Sequence, residues 1–149
     1  MGLDLRISEV QNSTTDELGR TVTTTVELTN LRGCYRILDK LGERLESGGL
    51  DNCATYTFYD ITFQAILEEL IEDRQALLDG KAYRFPSDTD EQFNSRVQEN
   101  IKELDDNIEA LEEFIANEEI PEIEEDQRDE DGNIDESYGD REFEVHAWW

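Results

Sequence analysis

One histidine, His146, stands among these 149 residues, with two cysteines, two prolines and only three lysines against ten arginines. Each shortage removes a class of chemistry. A lone histidine near the chain end builds neither a Ser/His/Asp set nor a metal-binding pair, and no glycine-rich loop is present to cradle a phosphate. The chain is therefore expected to be no enzyme and to carry no cofactor and no metal. Cys34 and Cys53 are too few for a disulfide framework and are not spaced as zinc ligands, so both are expected as reduced core residues. Apolar residues nowhere continue for the roughly 18 positions of a membrane span, and Met1 to Arg6 lack the basic-then-apolar pattern of a leader. A cytoplasmic protein without membrane contact is the expectation.

What is present is acid: 39 Asp and Glu stand against 13 Lys and Arg, for a net charge of −26. The excess is uneven. Glu99 to Trp149 hold 21 acidic residues against Lys102, Arg128 and Arg141 alone, whereas the first 98 residues are mildly acidic. So dense an anionic stretch repels nucleic acid and anionic membrane, and a partner that reads its charge should be basic. Adaptation to strong salt also raises the carboxylate-to-lysine ratio, but it should coat every exposed surface.

Hydropathy periods give an α+β fold. Leu3, Leu5 and Ile7 alternate with polar residues, as do Val22, Thr24, Val26 and Leu28, which predicts a β-hairpin around a long, mobile polar loop at Gln11–Arg20. Leu31 to Leu45 has the 3.6-residue period and stops at Gly48-Gly49. Cys53–Tyr59 reads as a short strand, and Asp60 caps a helix that closes at Gly80. A second long helix starts after Pro86, capped by Ser87 or Thr89. In it Phe93, Val97, Ile101, Leu104, Ile108, Leu111 and Ile115 form a heptad seam, expected to pack on the preceding helix as a hairpin, with a homodimeric coiled coil as the alternative. The organisation expected is one α+β domain over 1–117, with a small antiparallel sheet and a helical hairpin. An acidic flexible segment over 118–141 and an aromatic strand or tail over 142–149 follow. Phe143, Val145, Ala147 and Trp149 alternate with polar neighbours, a pattern that adds a strand at a sheet edge.

Two patterns suggest cations. Glu68, Glu69, Glu72 and Asp73 offer i, i+4 carboxylates for magnesium, although a solvated helix face explains them as well. Asp129 to Asp135 resembles the middle of an EF-hand loop around Gly132. That register puts Gln127 and Tyr138 where the first and last carboxylates belong, which leaves a flexible acidic turn as the default.

Met1-Gly2-Leu3-Asp4-Leu5, then Cys34-Tyr35-Arg36, then Asp51-Asn52-Cys53 leading through Tyr56 to Glu68-Glu69-Leu70, resembles a set of small phage-encoded proteins. Those proteins begin MGLD and carry a Tyr-Trp-Arg-Lys helix start, an Asn-Cys step and two acidic helices. The resemblance covers about residues 1–115. This chain lacks the tryptophan of the Tyr-Arg segment and adds the acidic extension. The resemblance implies a phage origin and a shared fold, and transfers no catalytic residue.

The densest carboxylates, Glu99 to Glu119, recur about every 3.5 Å along a helix of about 1.5 Å rise, close to the roughly 3.4 Å phosphate spacing of a nucleic acid strand. Glu99/Glu103, Asp105/Glu109 and Glu109/Glu113 are like-charged i, i+4 pairs, each costing a helix about 0.2–0.5 kcal/mol. In composition the acidic C-terminal region resembles DNA-mimic inhibitors. The function expected is a phage-encoded, non-enzymatic inhibitor that sits in the basic groove of a host nucleic-acid-binding protein, a defence nuclease of CRISPR-associated or restriction type. It would act in the host cytoplasm, as monomer or homodimer, and would not itself bind nucleic acid. The candidate contact residues are Asp105, Asp106, Glu109, Glu112 and Glu113, then Glu122, Glu124, Glu125, Asp126, Asp129, Glu130 and Asp131, with Tyr138, Trp148 and Trp149 as apolar anchors. The alternative is a structural or assembly protein of a virus of a salt-adapted host, its acidity a halophilic adaptation.

Overall fold

Leu3, Leu5 and Ile7 are fully buried along the first strand, as are Phe143, Val145 and Ala147 along the last, and these two strands pair at the centre of the fold. The structure is a computed structural model describing residues 2–149, so Met1 of the MGLD opening lies outside the described residues. Four strands, β1 (Asp4–Thr15), β2 (Thr21–Asn30), β3 (Thr55–Tyr59) and β4 (Glu142–Trp148), form an antiparallel sheet in the order β2-β1-β4-β3. Three helices, α1 (Tyr35–Glu43), α2 (Asp60–Leu78) and α3 (Asp90–Asn117), pack with it. The α+β class, the helical pair and the C-terminal strand expected from the sequence are all present. β4 takes an inner place, with β1 on one side and β3 on the other.

The core lies between the sheet and the helices. Phe63 of α2, Phe114 of α3 and Phe143 of β4 meet edge-on, with centroids 5.4, 5.6 and 5.9 Å apart, the arrangement that the aromatic quadrupole favours. Ile37 and Leu41 of α1, Ile66 and Leu70 of α2, and Leu104, Leu111 and Ile115 of α3 complete one cluster. The C-terminal half of the heptad seam is thus core, packed against α2.

Two expectations need correction. Gln11–Thr15 is not a loop: β1 runs to Thr15 and β2 resumes at Thr21, with Asn12 opposite Thr24, Ser13 opposite Thr23 and Thr14 opposite Val22. Only residues 16–20 turn, where Asp16 Oδ1 accepts from Leu18 N at 2.9 Å and Arg20 N at 2.8 Å. Polar β-branched residues hold this arm through backbone pairing, which hydropathy does not register. Cys53 is exposed rather than core, with φ +65°, and donates its backbone N–H to Ala147 O at 2.8 Å, while Cys34 is buried; both thiols are free.

The acidic link between α3 and β4 follows a defined path. Asp60, 3% exposed, donates its backbone N–H to Arg141 O at 2.9 Å and accepts from Asp140 N at 3.0 Å, joining the start of α2 to the entry of β4. The chain passes so close there that a Cβ on Gly139 would meet Tyr59 Cβ at 2.3 Å. Arg141 then grips Glu9 of β1 with two hydrogen bonds of 2.7 and 2.9 Å, and takes the carbonyl and carboxylate of Glu118 at 2.7 and 3.0 Å. One guanidinium therefore fastens both ends of the 118–141 segment to the sheet.

Candidate functional site

α3 begins at a capping box, in which Thr89 Oγ1 accepts from Gln92 N at 3.1 Å and Gln92 Oε1 accepts from Thr89 N at 3.0 Å. The helix is 28 residues long and buries one face of Leu104, Asn107, Leu111, Phe114 and Ile115. Asn107 is polar and 2% exposed because it has work on both sides: Oδ1 accepts from Ile37 N of α1 at 3.3 Å and Nδ2 donates to Glu103 O at 2.8 Å. That fixed inward face leaves Asp105, Asp106, Glu109, Glu112 and Glu113 exposed. Asp105 is paired with Arg74 of α2, and Asp106 with Lys102 at 2.9 Å. Among the described residues no lysine or arginine pairs with Glu109, Glu112 or Glu113.

The acidic surface continues past the helix. Glu119, at φ +52°, reverses the chain, and buried Ile120 anchors it while Gln64 Nε2 donates to Ile120 O at 3.1 Å. A shallow groove there brings Glu112, Glu119 and Glu122 together beside Pro121. The adjoining depression adds Glu124, Asp140 and Tyr138, the last 55% exposed. Residues far apart in sequence thus share one ridge running from Glu109 through Glu112, Glu119 and Glu122 to Glu124. Glu119, counted in the dense carboxylate run, and Asp140 were not among the contact residues expected, since their membership depends on the path of the chain after α3.

Glu125 and Asp126 lie in a single 3-10 turn, exposed. Asp129, Glu130 and Asp131 form a small hairpin closed by the Arg128–Ile134 bridge, in which Asp129 Oδ1 accepts from Asp131 N and Asn133 N, both at 2.9 Å, and Gly132 takes φ +84°. One carboxylate oxygen of the EF-hand-like stretch is thus spent on the turn itself. The same hairpin delivers Arg128 to Glu68 of α2, and Glu136 accepts from Arg44 at 2.8 Å.

α2 presents a different electrostatic picture. Glu68 is paired with Arg128, Glu69 with Arg44, and Asp73 with Lys40 at 3.1 Å, so three of the four carboxylates considered for magnesium already face cations. Burial works against the Arg44 charge, but the hydrogen bonds it donates to Glu69 and Glu136 outweigh it and hold the guanidinium above its ordinary value. The hydrogen bond to Glu68 raises Arg128 likewise. Arg141 is raised mainly by its Glu9 hydrogen bond, and Glu9 is lowered by the same contact.

Trp148 and Trp149 lie apart from the ridge. β4 carries them about 23–26 Å from Arg141 at roughly 3.3 Å per residue. There Arg6 stacks on Trp148 at 4.4 Å, and Asn52 Oδ1 accepts from Trp149 N at 3.0 Å. Of the three apolar anchors expected, Tyr138 alone borders the carboxylates.

Compared with protein-family profiles, with curated proteins and with solved structures, the chain matches none. Among the described residues no helix is long and apolar enough to cross a membrane.

Proposed function

We propose that this chain is a non-enzymatic acidic binding protein whose ridge on α3 and the following segment occupies the basic groove of a nucleic-acid-binding protein. The observation that carries the reading is the contrast in pairing: Glu68, Glu69 and Asp73 of α2 are matched by Arg128, Arg44 and Lys40, while Glu109, Glu112, Glu113, Glu122 and Glu124 stand exposed without a paired cation among the described residues. Unmatched like charges at Glu109/Glu113 cost the helix about 0.2–0.5 kcal/mol, an expense a partner's arginines and lysines would offset. The resemblance to MGLD phage proteins directs the target class to a host defence nuclease, of CRISPR-associated or restriction type, in the host cytoplasm. Carboxylates then stand where phosphates would lie, giving fast, salt-sensitive association. Salt adaptation would acidify every surface evenly. β2 carries a single charged residue and is not acidified, which favours the binding reading over the viral structural one.

The test is capture from host lysate with the wild-type chain as bait, at low and high salt, with mass-spectrometric identification. Recovery of one basic nucleic-acid-binding protein, released by high salt or by competing DNA, supports the reading. Recovery of capsid proteins alone, or of no such protein, defeats it.

A further inference from the structure

β2 closes one edge of the sheet, and beyond Leu28 it leaves the core: every residue from Thr21 to Glu27 is exposed. Among the described residues, the backbone groups on its outer side have no backbone partner. Natural edges are usually guarded by lysine, proline, inward charge or shortness. This one has none of those guards. Thr21-Val22-Thr23-Thr24-Thr25-Val26 are six consecutive β-branched residues, the composition that favours strand pairing, and the bulge on β2 falls outside them at Leu28. Val22 and Val26, 49% and 46% exposed, lie on one face with Thr24 between them, by the two-residue period of a strand.

We infer that this edge pairs with the same edge of a second copy, β2 against β2 antiparallel, to make a continuous eight-stranded sheet. Charge selects the occupant. In a chain of net charge −26, the only charged residue of β2 is Glu27, and Arg6 neutralises it at 3.6 Å. Two acidic molecules can approach along this strip without setting carboxylate against carboxylate. A two-fold axis through Thr24 makes the strip self-complementary: Val22 of one copy faces Val26 of the other, twice, and Thr24 faces Thr24. Main-chain hydrogen bonds supply the affinity and the two valine pairs fix the register. The remaining charges of both copies oppose association, so the pairing strengthens as salt shortens the screening length to about 4 Å near 0.5 M. The inference does not depend on what the acidic ridge binds.

The experiment is light scattering on the size-exclusion eluate at tens of micromolar protein in 0.5 M salt, with circular dichroism to check folding. The wild type is expected at about twice 17.3 kDa. Val22→Lys/Val26→Lys sets lysine against lysine in this register and should return the mass to one copy, whereas Val22→Lys/Val26→Glu sets lysine against glutamate and should restore the pair. A second readout needs no variant: amide exchange of Thr21–Val26 in the wild type should slow severalfold as concentration rises. A wild type that stays at one copy with concentration-independent exchange overturns the inference and leaves the edge to a foreign strand. A dimer that survives Val22→Lys/Val26→Lys, or a charge-swapped variant that stays monomeric, overturns this surface and register.

Discussion

α2 and α3 pack side by side and are both acidic, but most of the α2 carboxylates and the C-terminal carboxylates of α3 have opposite uses, although Glu103 and Asp105 of α3 do pair with Arg36 and Arg74. On α2, Glu68, Glu69 and Asp73 draw Arg128, Arg44 and Lys40 across from other elements, so their charge helps assemble the molecule. On α3, Glu109, Glu112 and Glu113 draw no cation among the described residues, and the exposed acids of residues 119–124 extend the same unmatched surface. Identical side chains therefore divide into those that stabilise the fold and those that burden it. The lesson is to count the cations within reach of an acidic run before assigning it a meaning.

The comparison breaks most sharply in binding. Glu109→Lys/Glu112→Lys/Glu113→Lys should lower capture of a basic partner at least about a hundredfold with the helical circular dichroism retained, since opposed like charges at an interface cost several kcal/mol. Reversal on α2 should instead show up as lost stability. The next largest effect belongs to the clamp: Arg141→Met leaves Glu9 and Glu118 without their shared cation and should cost about 2–3 kcal/mol, read as a lower urea midpoint. The clamp also sets a pH direction. Glu9 is held below its ordinary value by Arg141, so its contribution is complete above the usual glutamate range and is lost as pH falls through the lowered value. A carbon-detected titration of the Glu9 carboxyl should find that lowered midpoint in the wild type and lose it in Arg141→Met.

Smaller changes sharpen the contrast. Glu69→Gln removes the charge-assisted bond to Arg44 in a half-buried setting and should destabilise by about 1–2 kcal/mol in urea. Glu109→Gln/Glu113→Gln should go the other way, gaining a few tenths to about 1 kcal/mol, because it relieves an i, i+4 repulsion and removes acid from near a helix C-terminus that has no basic residue in its last turn. Opposite signs from the same substitution on neighbouring helices are the signature to look for.

Much of this architecture was legible in the chain. The α3 period, the Thr89 cap and the inward alternation of Phe143, Val145 and Ala147 are local patterns, and burial followed them. The arm was missed because Asn12, Ser13 and Thr14 hold their register by backbone bonds and the Asp16 turn, with no apolar alternation to report it. The α2 ion pairs escaped because Arg128 and Glu68 lie 60 residues apart, and Arg44 and Glu69 lie 25 apart on separate elements. For the ridge, the sequence named Glu109, Glu112, Glu122 and Glu124 as contacts; Glu119, counted there only in the dense helical run, joins them through its left-handed turn, and Asp140 through its backbone bond to Asp60. The tryptophans were grouped with the acids by nearness in sequence, and the length of β4 separates them.

The decisive measurement pairs two readouts on one variant, Glu109→Gln/Glu112→Gln/Glu113→Gln: urea unfolding, and capture of the basic protein that the wild type recovers at low salt. The account predicts a protein at least as stable as the wild type that no longer retains the partner. Wild-type capture by this variant, or a marked loss of stability, would contradict it and return the α3 carboxylates to an ordinary structural role.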